Sequence, residues 1–542
     1  MKSLPLSLLF TFFSAFSFAQ IGNFTSVEPT FQDELLHIPS SHAFQVLAQE
    51  GDVLTDGSSM GQWSDLTAYV PIDGSSTHGY LCVNSEFVPG AVSIFEIQLN
   101  PNTKLWEVLN SKNADFTAFN CNAGIAVAGT IANCSGGVTP WGTVVTSEES
   151  DEVPQFLCNY QGYKSFGWNV EIDPLTGDVV DYDNDGNPDK VWAMGNMKHE
   201  NVAFANDSLT VYQGEDNSSA GFLYKFIMDN KTDLSSGKLY ALKLASNWIT
   251  SGEATWILIP NTSKSERNDV TAATNSLGAT KFDRVEDIEI GPDGKIYFTS
   301  TGQNIVFRFN DVDNATANGF EIFIDNVNVP IQTESGTFQA LFAAPDNLAF
   351  DNQGNLWINQ DGGENYFWMV EPTHTVANPK VHVFANTPNG CESTGTHFTP
   401  DGKYMFISIQ HPEATNVAWQ NDVADRSVVF DKSATMVIAL NEDLGDTTTG
   451  IAGPMEDTGM FNTLVVYPNP VAEVFNISLN SAIYDYVDII IYDATGKQVK
   501  TTKLFVNLGR NELQIDASQL SVGQYVLTLR HRKGHITTTF QK

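Results

Sequence analysis

Basic side chains are scarce in this sequence. Its 542 residues include 28 Lys and Arg against 64 Asp and Glu, which gives a net charge of −36. A surface this negative repels nucleic acid and anionic lipid, so neither is an expected partner. Many acids also suit divalent cations, which prefer oxygen ligands, but high solubility alone would explain the same charge. Composition leaves both interpretations open.

Long apolar runs are missing after the first twenty residues. Lys2 precedes an apolar stretch that ends at Phe16, and the small residues Ser17 and Ala19 follow it. A membrane span needs roughly 20 apolar residues, whereas a charged start, a shorter apolar stretch and small residues are typical of a secretory signal peptide. We therefore favour a signal peptide at residues 1–19 over a membrane anchor. The sequence predicts an exported protein, which we expect to be monomeric and without a transmembrane segment.

Cysteine is also rare. The chain contains five cysteines, and none of them forms a Cys-x-x-Cys pair, which argues against a zinc ribbon or a thioredoxin-like site. An exported protein can form disulfides, but an odd number leaves at least one thiol over. The five residues are Cys82, Cys121, Cys134, Cys158 and Cys391.

Helical patterns are weak, and short β-rich runs bounded by Gly, Asn, Asp and Pro recur instead. Three such runs each follow the same kind of turn, at residues 291–294, 351–354 and 399–402, and each contains an aromatic residue. Repeats of this type are typical of propeller blades, which are small antiparallel sheets. We predict an all-β chain with a β-propeller over residues 20–440, in preference to two packed β-sandwiches.

The end of the chain has a different character. Small and polar residues at 441–460 predict a linker. The alternating apolar residues and regular turns of residues 461–542 predict a separate, small β-sandwich. A generic carbohydrate- or protein-binding sandwich is one interpretation of this unit.

Short motifs in this unit favour a more specific interpretation. They are Tyr467-Pro-Asn-Pro470, Asp493-Ala-Thr-Gly496, Gly523-x-Tyr525 and the basic end His531-Arg-Lys-Gly534. Together they resemble the type A C-terminal sorting domain of the type IX secretion system of Bacteroidetes. The resemblance implies recognition by that secretion machinery and transport across the outer membrane, with the domain then removed or used for attachment to the surface.

The densest group of reactive side chains lies at residues 133–149. It contains the thiol of Cys134, a Gly-Gly turn that allows close backbone approach, a predicted strand and the adjacent acids Glu148 and Glu149. On a strand these two acids point to opposite faces, so they can serve two sites, or one site and solvent. Taken alone, Cys134 is more often a buried, inert thiol than a ligand.

Acids accompanied by an amide or an arginine recur along the rest of the predicted propeller. Near the ends of blade strands, such sets converge on the central channel. In an extended segment Arg284 and Glu286 lie on the same face. The sets are Lys198-His-Glu200, Gly214-Glu-Asp216, Asp283-Arg-Val-Glu-Asp287, Pro345-Asp-Asn347 with Asp361, Glu392-Ser-Thr-Gly395 and Gln410-His-Pro412.

In this order, the motifs resemble those of the PhoX-type alkaline phosphatases. The stretch Asn133-Cys-Ser-Gly-Gly-Val-Thr-Pro-Trp-Gly-Thr143 with its following Glu-Glu is close to the family's signature, and Asn84-x-Glu86 and Gly167-Trp-x-Val-Glu171 also agree. The resemblance implies a six-bladed propeller with ferric and calcium ions in its channel, and hydrolysis of phosphate monoesters.

The resemblance also implies roles for single residues. Cys134 looks like the iron-binding thiolate, and Arg284 looks like the phosphate-binding arginine. Glu200 and Glu286 look like carboxylate metal ligands. Other residues match motif positions of the family. The expected metal ligands among them are Glu148, Glu149, Asp346 and Glu392, and the expected catalytic residues are Asn347 and Thr394.

This sequence departs from the family pattern at three positions. Ser85 stands where the family usually has His, and Val285 and Asp287 stand where it usually has Pro and Trp. The expected ligands are unchanged, so these departures bear on substrate preference and rate.

The implied chemistry agrees with general principles. Cations and arginine stabilise the charge that develops on a transferred phosphoryl group, and arginine matches phosphate as a bidentate fork. Clustered metals can bind phosphate oxygens, stabilise the leaving oxygen or supply the nucleophile. A serine or aspartate nucleophile is then not required.

A further acidic segment lies outside these motifs. Asp181, Asp183 and Asp185, with Gly186 for the turn, match the first half of an EF-hand-like calcium loop. The twelfth position is Trp192 rather than a bidentate Glu. A structural calcium loop and a solvated acidic turn are both compatible with this pattern.

Two other functions remain as alternatives. The first is a propeller lactonase or related hydrolase with one calcium, for which Asp346, Asn347 and Asp361 would suffice, but which gives Cys134 and Arg284 no task. The second is a calcium-stabilised surface propeller that binds glycans or protein partners and has a degenerate site.

Overall fold

The structure is a computed structural model that describes residues 20–119, 129–150, 162–218, 220–445, 461–482, 484–493, 497–531 and 534–542. Two compact units are present, a body that ends at Gly445 and a C-terminal unit that ends at Lys542. The predicted signal peptide and most of the predicted linker lie outside the described residues, so their boundaries stay predictions. No helix in the described ranges is long and apolar enough to cross a membrane.

Strands dominate the first half of the body. They are β1 (His42–Gln49), β2 (Ser64–Pro71), β3 (His78–Ser85), β4 (Ala91–Leu99), β5 (Trp106–Asn113), β6 (Asn133–Val138), β7 (Val144–Glu148), β8 (Asn169–Ile172), β9 (His199–Phe204), β10 (Thr210–Glu215), β11 (Leu223–Asn230), β12 (Asp233–Leu244) and β13 (Ala254–Ile259). The helices are short: α1 (Trp248–Ser251), α2 (Lys264–Asn268) and α3 (Val270–Leu277), with single 3-10 turns at Ile72–Gly74, Thr117–Phe119, Trp192–Met194 and Thr301–Gln303.

The second half of the body continues in the same way. Its strands are β14 (Ile288–Ile290), β15 (Ile296–Ser300), β16 (Ile305–Asp311), β17 (Thr316–Ile324), β18 (Asn328–Gln332), β19 (Thr337–Leu341), β20 (Pro345–Phe350), β21 (Leu356–Gln360), β22 (Tyr366–Val370), β23 (Val381–Asn386), β24 (Glu392–Phe398), β25 (Tyr404–Gln410), β26 (Trp419–Asn421), β27 (Ser427–Val429) and β28 (Ala434–Leu440).

Neighbouring strands pair antiparallel into successive sheets. Three sheets have the orders β2-β3-β4-β5, β6-β7-β8 and β20-β21-β22-β23, and two hairpins pair β18 with β19 and β26 with β27. A larger sheet joins β9–β13 to β14–β17 through two residue pairs between β13 and β17. The last sheet, β24-β25-β28-β1, takes its edge strand from the start of the body, where His42 lies opposite Leu440. This pairing of first and last strands closes the body into a ring.

A central channel runs through the ring. A cavity of about 560 Å³ is lined by residues of β2, β6, β9, β14, β20 and β24, which are the inner strands of successive groups. The predicted propeller is therefore confirmed. The predicted number of six blades stays a prediction, because β9–β13 and β14–β17 form one continuous sheet.

The three repeated turns of the sequence each lead into a β-strand, as the sequence predicts. Each connects the first two strands of a group, β14 to β15, β20 to β21 and β24 to β25. The glycine of the first turn, Gly294, has φ of 79° and that of the third, Gly402, has φ of 69°, a backbone conformation that favours glycine. The following strands are almost wholly buried, including all of β21, β22 and β25. Burial on both faces of stacked sheets explains their near-continuous apolar sequences.

The C-terminal unit is a separate β-structure. Its strands are β29 (Phe461–Tyr467), β30 (Val474–Ser481), β31 (Asp485–Asp493), β32 (Gln498–Val506), β33 (Gly509–Asp516), β34 (Gln524–His531) and β35 (Gly534–Gln541). They form two sheets, β29-β30-β33 and β32-β31-β34-β35. Phe475, Ile489 and Leu527 are buried in the core that the two sheets share. The predicted small sandwich is confirmed.

Candidate metal centre

The candidate site lies at one end of the channel, where the inner strands begin. Glu200 is the second residue of β9, Asp346 is the second residue of β20, and Glu392 is the first residue of β24. Glu286 lies just before β14. Because these strands surround the channel, their first side chains converge although they are far apart in sequence.

The first group of ligand atoms combines sulfur and oxygen. The Sγ of Cys134 and carboxylate oxygens of Glu149 and Glu200 all lie within 4.8 Å of one another. Cys134 is 2% exposed. Burial raises the pKa of its thiol well above the usual range, and the negative charges of Glu200 and Glu149 raise it further. The group therefore ionises fully only when a cation offsets its charge.

The other cysteines do not extend this group. Cys82 and Cys391 are buried, and like Cys134 they carry free thiols. Cys121 and Cys158 lie outside the described residues, so their pairing stays open.

A second group contains oxygen ligands alone. Carboxylate oxygens of Asp346, Asp361 and Glu392 lie within 4.8 Å of one another. Burial raises the pKa of Asp346 to about 7, with a further contribution from the charge of Asp361. The Oε2 atom of Glu392 is buried and accepts no hydrogen bond from the protein. An unpaired buried carboxylate oxygen is costly unless a donor or cation reaches it.

Further acids join the two groups. Burial raises the pKa of Glu86 to about 7. The side chain of Glu86 also interacts with the carboxylate of Glu149. Gln410 donates from Nε2 to Glu86 Oε2 over 2.7 Å. Burial also raises the pKa of Asp65, and the charges of Asp346 and Glu149 add to this effect. Asp65 and Glu86 therefore add to the negative charge of the two ligand groups.

Arg284 is the cationic side chain that pairs with these acids. Its Nε lies 3.1 Å from Asp216 Oδ1 and its Nη1 lies 3.7 Å from Asp361 Oδ2, while its Nη2 is in close contact with Glu286 Oε1. Arg284 and Glu286 therefore share a face, as the sequence predicts. The Arg284 side chain remains 34% exposed, so an anion that enters the mouth of the channel can reach it.

The backbone is strained around the mouth of the channel. Trp63, Arg284 and His411 have φ values of 54°, 59° and 55°, a region that costs a non-glycine residue about 1–2 kcal/mol. The rings of Trp63 and His411 are 4.4 Å apart, and His411 Nε2 lies 4.0 Å from Glu392 Oε1. Strain of this kind concentrates at functional sites, and here it orients side chains toward the acids.

Two predicted catalytic residues form hydrogen bonds with other parts of the protein. Asn347 Oδ1 accepts a hydrogen bond from the Gly395 N–H over 2.9 Å, and its Nδ2 donates to Asp346 Oδ1 over 3.1 Å. The buried hydroxyl of Thr394 donates to the Ser64 carbonyl over 3.1 Å. These bonds join β20 to β24 and β24 to β2.

Glu148 does not join the predicted ligands. Its oxygens accept hydrogen bonds from Lys190 Nζ over 2.7 and 2.9 Å and from the N–H groups of Ile131 and Trp168. Lys190 and Glu148 are both fully buried. The adjacent acids thus point to opposite faces, as predicted, but Glu148 forms a structural ion pair while Glu149 faces the site.

The acidic loop also differs from the sequence prediction. Carboxylate oxygens of Asp181, Asp183 and Asp189 lie within 4.8 Å of one another, and Asp185 is outside this group. The Oδ1 of Asp185 instead accepts hydrogen bonds from the backbone and side chain of Asn187 over 2.8 and 3.0 Å. A calcium site here would use Asp189 in place of Asp185.

Paired variants test this loop. We expect Asp189→Asn to lower the thermal midpoint in millimolar calcium by about 2–4 °C relative to the parent, because it removes one of three clustered ligands. Asp185→Asn, which removes the same charge from the same loop, is the control and should change the midpoint less. Scanning calorimetry with and without calcium measures both, and equal shifts would favour a merely solvated turn.

The donor set of the main site fits bound cations. Within the described residues it offers many carboxylate oxygens, one soft sulfur ligand and one arginine that offsets them. Hard and soft metals both find ligands among these groups. The acids are Asp65, Glu86, Glu149, Glu200, Asp216, Glu286, Asp346, Asp361 and Glu392. A metal-dependent site is the arrangement that this concentration of charge supports.

In the metal-free protein, a rise in pH should lower the stability of the fold instead of increasing it. Glu86 and Asp346 have folded-state pKa values of about 7, above the unfolded values of about 4. Because the folded state then holds the extra protons, the contribution of these two groups to stability is greatest below about pH 4 and falls as pH rises to about 7. We expect the thermal midpoint of chelator-treated protein to drop by about 5 °C or more over this window.

The metal-loaded protein is the control for this measurement, because it carries the same surface charge. Bound cations keep the same carboxylates ionised, so its midpoint should change less over the window. A metal-free protein that gains stability between these pH values would contradict the assigned burial of the acids.

Two family models match this chain. The family model of alkaline phosphatase PhoX matches residues 106–413, which is more than half of the chain. The model of the secretion system C-terminal sorting domain matches residues 465–542, which indicates export to the cell surface or the extracellular space. No protein of curated function matches this chain.

A solved structure of a PhoX phosphatase shares the fold of the body, and two other solved structures are more distantly similar. Pseudomonas fluorescens PhoX in complex with vanadate, a transition state analogue, is 22% identical, with 78% of this chain and 99% of that chain covered and a TM-score of 0.60. A gluconolactonase from Xanthomonas campestris is 11% identical, with 78% and 100% covered and a TM-score of 0.34. Virginiamycin B lyase from Staphylococcus aureus is 13% identical, with 74% and 99% covered and a TM-score of 0.35. The family match over the body is the finding that decides the assignment: this chain belongs to the PhoX family of alkaline phosphatases.

Proposed function

We propose that this protein is an exported phosphatase that hydrolyses phosphate monoesters with iron and calcium ions held at the end of the propeller channel. The observation that carries the proposal is the position of Arg284. Its guanidinium contacts carboxylates of both sides of the site yet stays partly exposed. An arginine anchored beside a cluster of metal ligands suits a tetrahedral anion better than a neutral substrate.

The two ligand groups suit different cations. Cys134 supplies a soft sulfur donor beside Glu149 and Glu200, which favours iron. Asp346, Asp361 and Glu392 supply oxygen alone, which favours calcium. Glu286 lies between Arg284 and the hydroxyl of Thr301, which donates to its Oε2 over 2.8 Å. Bound cations would offset the negative charge of the phosphate and of the leaving oxygen.

Arg284 would bind and orient the phosphate. Asp216 and Glu286 hold the guanidinium in place, so less freedom is lost when an anion binds. As charge builds up on the phosphoryl oxygens, donors that are already oriented stabilise the transition state without reorganisation. The side chain cannot lose its proton at any working pH, since carboxylates around it raise a pKa that is already very high.

Asn347 and Thr394 would keep the ligands in register. Asn347 fixes the carboxylate of Asp346 and the backbone of Gly395. Thr394 fixes Ser64, next to Asp65. Both are positioning residues in this proposal, because their polar groups are taken up by the protein.

A comparison of substrates on one purified sample tests the proposal. We expect turnover of p-nitrophenyl phosphate that is lost on chelation and restored by iron and calcium together. A gluconolactone serves as the alternative substrate and should not be hydrolysed. Bound calcium without iron, with lactone turnover or with no turnover at all, would favour the lactonase or the non-enzymatic binding propeller instead.

A further inference from the structure

The channel continues beyond the catalytic end, and two more acids face this part. Asp287 and Glu289 line the cavity of about 560 Å³, which we call the channel cavity. Asp287 lies just before β14 and Glu289 lies within it, two positions apart, so their side chains share a side of the chain. Glu286, whose carboxylate contacts Arg284 in the metal centre, points to the other side. The side chains of Asp287 and Glu289 therefore lie on the opposite side of the strand from Glu286, although the negative charge of Asp346 in the metal centre still reaches Asp287.

The channel cavity offers these acids no cationic partner. Among its described lining residues there is no lysine or arginine. His397 also lines it, but burial lowers the pKa of this ring to about 4, so it is neutral at physiological pH. Two carboxylates thus face a common space without a positive side chain beside them.

Buried oxygens in the channel cavity lack hydrogen-bond donors. Asp287 is 2% exposed, and its Oδ2 accepts the Leu348 N–H over 2.8 Å, but its Oδ1 accepts no hydrogen bond from the protein. Asn201, on β9, is 7% exposed, and its Oδ1 is likewise unpaired. The two strands are connected here, because the Asn201 N–H donates to the Glu286 carbonyl over 3.2 Å. Unpaired acceptors therefore come from two neighbouring strands.

We propose that Asp287, Glu289 and Asn201 bind a calcium ion inside the channel, in addition to the cations of the catalytic end. All three offer oxygen, which is the ligand type that calcium takes in sites of six to eight ligands, with water completing the set. A cation satisfies acceptors that no donor reaches, and it offsets carboxylates that no base neutralises. The ion would link the start of β14 to the neighbouring strand β9 inside the channel and stabilise the ring.

The burial of Asp287 needs a physical explanation, because this carboxylate is 2% exposed and lines the channel cavity. An acid at a channel-lining position is unfavourable unless something compensates its charge. A bound calcium supplies that compensation.

Counting metals in the full-length protein tests the proposal. We expect the double variant Asp287→Asn, Glu289→Gln to bind one calcium fewer per chain than the parent by elemental analysis. Iron content should be unchanged, and the rise of the thermal midpoint on adding calcium should be smaller. The control variant, Asp229→Asn with Glu253→Gln, removes two exposed acids away from the channel and should keep the parent's calcium count.

Other outcomes decide against the channel calcium. An unchanged calcium count in the double variant would overturn the proposal, and so would a parallel loss of iron, which would assign both acids to the catalytic cluster. If the double variant does not fold, Glu289→Gln alone, at a partly exposed position, should weaken calcium binding at one site in a calorimetric titration. A parent without iron or phosphatase activity, but with the same calcium difference, would reject the proposed function and retain this site.

Discussion

The Cys134→Ser variant is expected to lose its iron and to show kcat/KM for phosphate monoesters at least about 100-fold below that of the parent. Cys134 is the one soft ligand in the described part of the site, and its Sγ lies within 4.8 Å of carboxylate oxygens of Glu149 and Glu200. A serine hydroxyl is a poor substitute, because it remains protonated and hard where a thiolate is charged and soft. Elemental analysis and steady-state kinetics measure the two effects.

Cys82→Ser is the matched control for this variant. Cys82 is also buried and free, but it lies in β3 among apolar side chains. The control should lose some stability and keep its iron and its activity per folded molecule. A Cys134→Ser variant with full activity and full iron content would exclude the thiolate from the metal centre.

The Arg284→Ala variant is expected to lower kcat/KM by about 100- to 1,000-fold while the metals are retained. The loss follows from removal of the donors that stabilise charge on the phosphoryl oxygens. Metal retention follows from the contacts of Arg284, since its removal frees Asp216 and Glu286 to bind cations. The affinity for vanadate should fall by a similar factor if the arginine acts mainly on the transition state.

Two further variants sharpen this result. Arg308→Ala removes an arginine that pairs with Glu321, outside the site, and should leave kinetics unchanged. Arg284→Lys should recover only part of the activity, because an ammonium group does not reproduce the bidentate fork. Loss of both metal types in Arg284→Ala would instead indicate that the arginine supports the cluster rather than the substrate.

Most of the fold could be predicted from local patterns in the sequence. The Asp/Asn-x-Gly turns and the apolar runs after them predicted the strand pairs of the propeller, since both depend on neighbours in the chain. The joining of β13 to β17 was not predictable in this way, because it rests on Ala254 and Thr255 meeting a strand some sixty residues later. Edge pairing of this kind depends on tertiary packing rather than on a local pattern.

The site was partly predictable for the same reason. Strand alternation placed Arg284 with Glu286 and separated Glu148 from Glu149. It did not reveal which glutamate faces the channel, because the partner of Glu148 is Lys190, which is brought in by a distant segment. Asp65 lies outside every motif identified in the sequence. It reaches the site because β2 converges with the other inner strands.

The acidic loop shows the limit of motif spacing. Asp185 occupies the position of an EF-hand ligand in sequence, yet its carboxylate binds Asn187. Asp189 replaces it because the loop turns back after Gly186, whose φ is 90°. Without the flanking helices of an EF-hand, the spacing of ligands along the chain no longer fixes their direction.

Diffraction from crystals of the full-length protein at the iron absorption edge would locate the bound iron. We expect an anomalous peak for iron within bonding distance of the Sγ of Cys134, close to Glu200 and at the channel end that holds Arg284. No iron peak there, or iron bound elsewhere in the chain, would contradict the proposed iron site.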